Sequence, residues 1–145
     1  MRATVPEDGP TTDADRRTDT EDGMPHIRNI EDAPHDPVQM EGVRGAEMAV
    51  MAGREHGVPN FALRHFRVEA EGHTPRHSHD YEHEVFIEDG TGTILLEGAE
   101  RSIRRGDVIY VPANEEHQFR ASGEGLSFLC LVPVTRDCGE PTPGS

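Results

Sequence analysis

The stretch HTPRHSHDYEHEVFIEDG, residues 73–90, holds four histidines within eleven residues: His73, His77, His79 and His83. Neutral imidazole is a good ligand for borderline transition-metal ions. In a strand, side chains two residues apart share a face, about 7 Å from each other along the chain. His77 and His79 therefore point the same way and can grip one ion together. His83 has the same parity but lies about 13 Å further along a fully extended chain. That is too far for bonds of about 2.1 Å, so the chain must bend or bulge between them. The polar DYE at 80–82 offers the place. A fourth candidate, His117, follows GDVIYVPANEE and opens a strand, which suits a side chain reaching in from a neighbouring strand. His73 precedes Pro75 in the approaching loop and is not expected to be a ligand. His26, His35 and His56 show no spacing to the rest. The bland alternative is a set of surface histidines on a polar hairpin. A third histidine placed after a bend and followed at once by apolar EVFI, together with His117 downstream, favours a metal site.

Short strands separated by turn signals must carry these side chains. FALRHFRVEA (61–70), EVFI (84–87), TILLEG (93–98), ERSIRR (100–105), GDVIYVP (106–112), HQFRA (117–121) and LSFLCLVPV (126–134) each read as a strand, with a turn expected at EDGTG. GAEMAVMAG (45–53) leans the same way, being short and bounded by glycine. Strand starts about 8–12 residues apart indicate an all-β sandwich or barrel. DAPHDPVQMEG (32–42) reads as a connecting arm. Residues 1–23 hold seven acids, three arginines and almost no large apolar side chain, a composition that cannot offset its ordering entropy. They are expected to be a disordered acidic tail, and 135–145 a loose C-terminal tail. The domain is then 24–134, a barrel with an N-terminal arm.

Two motifs in this chain resemble the signatures of the cupin superfamily. The first runs HxH, then an acid three or four residues on, then glycine; His77, His79 and Gly90 match it. The second runs glycine, five residues, proline, then histidine; Gly106, Pro112 and His117 match it. The resemblance covers about residues 42–134. It implies a double-stranded β-helix (jelly-roll) barrel with one metal in its mouth. Counting back from Gly90, the usual glutamate ligand position of the family falls on His83, so the chain resembles the small cupins with four histidine ligands: His77, His79, His83 and His117. Glu84 replaces or joins His83 if the bend is placed differently. Ala121 stands where an asparagine often does. Four neutral imidazoles leave the charge of a divalent ion uncompensated, which strengthens it as a Lewis acid and draws an anionic oxygen toward it. All-nitrogen donors suit Mn, Fe, Ni, Co, Cu or Zn rather than Mg or Ca.

Around that site, Glu82, Glu84, Tyr81 and Gln118 are the candidates to orient the imidazoles. Strand alternation requires one of Arg64 and His65 to face inward. Cys130 approaches the pocket if Phe128, Cys130 and Val132 are the inward set. Phe86, Ile94, Ile109, Val111 and Phe128 read as core and pocket wall.

The formal charge of −14, with all fourteen basic residues Arg, argues against nucleic acid and anionic membranes as partners. No run of 18 apolar residues is present and the N-terminus lacks an apolar signal core, so a cytoplasmic protein is expected. Two cysteines, Cys130 and Cys138, form no CxxC pair. The expected partners are a small-molecule ligand or substrate and a second copy of the chain in a homodimer. Three functions compete: a dioxygenase-like oxidoreductase on a small organic substrate, a metal-dependent isomerase or lyase, and a non-catalytic module that binds a metal or small ligand.

Overall fold

A computed structural model describes residues 23–136. The expected tails lie outside these residues except at their inner ends, and Cys138 lies outside as well. Seven strands follow one another: β1 (Asp36–Pro37), β2 (Arg44–Ala52), β3 (Phe61–His73), β4 (His83–Leu96), β5 (Ala99–Arg104), β6 (Val108–Val111) and β7 (Gln118–Pro133). Short 3-10 turns occupy Arg54–His56 and Val134–Arg136. The strands pair in the order β1-β2-β3-β7-β4-β5, with β6 on β4, and every pairing is antiparallel. This is the all-β jelly-roll barrel expected.

The long strands β4 and β7 each serve both halves of the barrel. His83–Phe86 of β4 pairs with β6, and Thr91–Leu96 pairs with β5, while β7 runs beside both segments. Two expectations are corrected here. EDGTG is not a turn that ends a strand, and HQFRA and LSFLCLVPV are not two strands. Register shifts between Ile87 and Asp89 and between Gly90 and Gly92 show that the chain bulges and continues. Glycine makes this possible. Gly90 has φ +88°, and a Cβ there would stand 2.2 Å from the carbonyl oxygen of Gly125, itself at φ +78°. Two backbones cross this closely only without side chains.

Strict alternation sorts β4 and β6. His83, Val85 and Ile87 face in with Ile109 and Val111, while Glu84, Phe86, Val108 and Tyr110 face out. Phe86 is thus not core; it is 43% exposed. Once His83 faces inward, the period of two leaves Phe86 no inward position. Ile94, of the opposite parity, is nonetheless buried, because the bulges shift the phase between Ile87 and Gly92. The core is built from Val85, Ile87, Ile94, Val111, Phe119, Leu126 and Phe128. Phe128 lies between Phe66 and Phe119, with ring centroids 5.1 and 4.5 Å away and near-parallel planes.

The arm before β2 packs on its own barrel. Asp36–Pro37 pairs with Glu47–Met48, and Ala33 is buried with Ala49 and Met51. Among the described residues no helix is long and apolar enough to cross a membrane.

Candidate metal centre

The chain bends at Asp80–Tyr81, within the DYE segment, and then enters β4 at His83. That bend turns the third histidine back toward the first two. His77 and His117 face each other across an isolated antiparallel bridge, exchanging hydrogen bonds of 3.1 Å (His77 N to His117 O) and 2.9 Å (His117 N to His77 O). Ligand atoms of His77, His79 and His117 all lie within 4.8 Å of one another. His83 falls outside this tightest group, but its ring centroid is 4.9 Å from those of both His79 and His117. Tyr81 lies flat against this cluster, 4.8 Å from His79 and 5.3 Å from His83, in near-parallel planes.

These rings are held as neutral bases. Burial lowers the pKa of His77 to about 4 and of His79 to about 3, helped by the charges of neighbouring imidazoles and Arg64. Burial lowers His83 most, to about 2, and the same cause lowers His117. A neutral imidazole always keeps one lone pair. Nδ1 of His117 lies 2.9 Å from the Glu115 carbonyl, so Nδ1 carries the proton and Nε2 the lone pair. Nδ1 of His77, Nδ1 of His79 and Nε2 of His83 are buried with no hydrogen-bond partner. Orphaned buried polar atoms are rare in proteins and ask for an explanation. A cluster of neutral imidazoles with free ring nitrogens fits a transition-metal ion, which requires deprotonated nitrogen donors.

The cluster opens into a cavity of about 560 Å³. Apolar walls come from Phe66, Phe119 and Phe128 of the barrel and from Val38 and Met40 of the arm. The connecting arm expected from sequence thus also forms part of the cavity wall. Its wall role had one faint signal in sequence, the apolar Val38 and Met40 inside an otherwise polar run.

Alternation is decided in favour of Arg64, which lines the cavity, whereas His65 does not. His65 is buried on the other side of β3. Its Nε2 lies 2.6 Å from Glu88 Oε1 and its Nδ1 2.9 Å from Nε2 of His35, which ties the arm to the barrel. That polar chain was not visible in sequence, because it joins three segments far apart along the chain. Cys130 faces the cavity, with Phe128 and Val132 on its parity, and its sulfur lies 3.3 Å from His83 Nδ1. Glu84 is exposed on the face opposite His83, so it neither replaces nor joins that residue; Glu82 is exposed too. Gln118 is buried, but it donates to the Thr74 carbonyl at 2.9 Å rather than to any of the four imidazoles. His73 stands at the end of β3, outside the cluster.

Known relatives share this arrangement of strands. The family model for the cupin domain matches residues 64–132. The chain belongs to the cupin superfamily. Among solved structures, this cupin is similar to the polyketide cyclase RemF from Streptomyces resistomycificus, with 26% identity, a TM-score of 0.73, and 77% of this chain and 80% of that one covered. It is 37% identical over 76 residues to 1-methylthio-D-xylulose 5-phosphate methylsulfurylase of Rhodospirillum rubrum, covering 52% of this chain and 49% of that protein. It is 28% identical over 120 residues to Auxin-binding protein 1 of Arabidopsis thaliana, covering 76% of this chain and 60% of that protein. This cupin thus spans about half the length of the first of these curated relatives and under two thirds of the second.

Proposed function

We propose that this cupin is a mononuclear metal-dependent enzyme that activates a small organic substrate at a carbonyl or enol oxygen. One observation carries the reading: four neutral imidazoles, three of them with buried, partnerless ring nitrogens, line one cavity together. His77, His79 and His117 would hold one divalent transition ion, with His83 as the fourth ligand. Bound there, the ion would supply Lewis acidity toward the substrate oxygen.

The chain's own groups do the rest. Burial raises the pKa of Tyr81, so its phenol keeps its proton at neutral pH. Stacked on His79 and lining the cavity, Tyr81 is placed to donate that proton to an oxygen on which charge develops. The apolar side chains on the wall lower the local dielectric, which strengthens polar interactions beside them. The similarity to a cyclase and a methylsulfurylase supports an enzyme, while that to Auxin-binding protein 1 supports a module that binds a small ligand.

Dioxygenase-like oxidation is the second reading. It draws on the same nitrogen donors, which suit redox-active Mn, Fe, Co, Ni or Cu as well as Zn. Metal analysis of natively expressed protein, followed by turnover and oxygen-electrode assays on small diketones, enols and phenols, separates the two. The proposal expects one transition ion per chain and turnover without oxygen uptake. Turnover should fall in Tyr81→Phe while the metal is retained. Substrate-dependent oxygen uptake would move the assignment to the oxidative reading. Protein that takes up no transition metal when offered it would sink both.

A further inference from the structure

Arg64 is 95% buried, being 5% exposed, and its side chain lines the cavity. A guanidinium stays protonated at any working pH. Buried arginines are normally paired with a carboxylate. Among the described residues Arg64 has no such partner. One N–H group donates to Cys130 Sγ at 3.3 Å, a weak acceptor, and Nε has no partner at all. The ring of Phe66 lies 5.1 Å from the guanidinium carbon. The acids on the cavity lining, Asp36 and Glu55, are both exposed. The cavity wall therefore carries a fixed positive charge with no carboxylate paired to it, one sulfur atom away from an imidazole that carries no negative charge.

We propose that Arg64 anchors the substrate through a carboxylate or enolate oxygen, so that the ligand of this site is an organic anion with an apolar body. A guanidinium carries several N–H donors and matches a carboxylate in geometry and charge. Phe66, Phe119 and Phe128 supply an apolar wall for the remainder of the molecule. This inference deepens the metal-dependent reading by naming its substrate class, and it rests on that reading for the chemistry that follows binding.

Benzoate and benzamide are the probes, since they match in shape and differ in charge. Calorimetric titration of the protein as isolated, and after chelator treatment, should show benzoate binding at least about tenfold tighter than benzamide in both forms. Arg64→Met keeps length and removes charge, a change that buried sites tolerate well; it should erase the preference. Arg64→Lys should keep part of it. Equal affinity for the two probes in the wild-type protein, no binding of either, or a preference that survives in Arg64→Met would each overturn the proposal. Metal stoichiometry measured on the same samples keeps the two readings apart. A benzoate preference without metal uptake sinks the enzyme reading and leaves the anion anchor standing; metal uptake without the preference does the reverse.

Discussion

Replacing His83 by leucine should make the metal-free protein more resistant to acid, although it removes a proposed ligand. The argument is one of proton counting. In the unfolded chain His83 titrates near the ordinary imidazole value of about 6.5, while in the fold burial holds it at about 2. Between those values the unfolded state binds a proton that the folded state refuses. Stability then rises with pH across the window and falls as the pH drops below 6.5. One such group changes stability by about 1.4 kcal/mol per pH unit. At pH 5 His83 alone thus destabilises the metal-free fold by about 2 kcal/mol relative to neutral pH. That is a substantial part of a typical total of about 5–15 kcal/mol. His83 is 5% exposed, so solvent screening does little to reduce this. Leucine cannot take up the proton, and its apolar body suits a site beside Val85 and Cys130. Urea titrations of chelator-treated wild type and His83→Leu at pH 7.5 and pH 5 measure the effect. The loss between the two pH values should be smaller in the variant by about 2 kcal/mol. An equal loss in both proteins would mean that the folded state accepts a proton at His83, and the picture of a buried neutral donor would fail with it.

Other outcomes follow from the same geometry. Chelation of a bound ion should lower the thermal midpoint of the wild type. The effect corresponds to about 2.7 kcal/mol when free metal stands at a hundred times its dissociation constant. His79→Ala and His117→Ala should lose both the ion and this shift, as measured by metal analysis and differential scanning fluorimetry. Gly90→Ala should destabilise the barrel by more than about 2 kcal/mol in chemical denaturation, because its Cβ would meet the Gly125 carbonyl at 2.2 Å in a left-handed conformation. Phe128→Ala removes a ring stacked on both sides and should cost about 3–5 kcal/mol in the same assay.

The parts of the site that could be read from sequence are those fixed by short-range geometry. His77 and His79 share a face because strands repeat every two residues. The gap to His83 demanded a bend, and the bend stands at Asp80–Tyr81. What could not be read depends on register between distant strands. Nothing local to FALRHFRVEA says whether Arg64 or His65 faces the cavity. Pairing of Arg64 with Cys130, and of Cys130 with Val85, decides it. The turn expected at EDGTG failed for a related reason. Gly90 does not reverse the chain but lets it pass close to Gly125. A glycine required by a neighbouring backbone looks, in one sequence, like a glycine required by a turn. Hydrophobicity alone puts Phe86 in the core, but the inward parity of His83 turns it outward.

That same register links the histidine cluster to the charge of Arg64. β3, β7 and β4 lie side by side, so Arg64, Cys130 and Val85 form one row across three strands, with His83 two residues further along β4. Arg64 donates to the Cys130 sulfur, and the same sulfur meets Nδ1 of His83, each at 3.3 Å. A shift of one residue in β7 would turn Cys130 outward and bring Leu129 or Leu131 into its place, breaking both contacts. The sulfur is large and polarizable, so it fills the space between a cation and an imidazole without adding a competing carboxylate. A carboxylate at position 130 would neutralise Arg64 and remove the unpaired charge on which the anion proposal rests. The small weak acceptor found there leaves that charge available to a ligand.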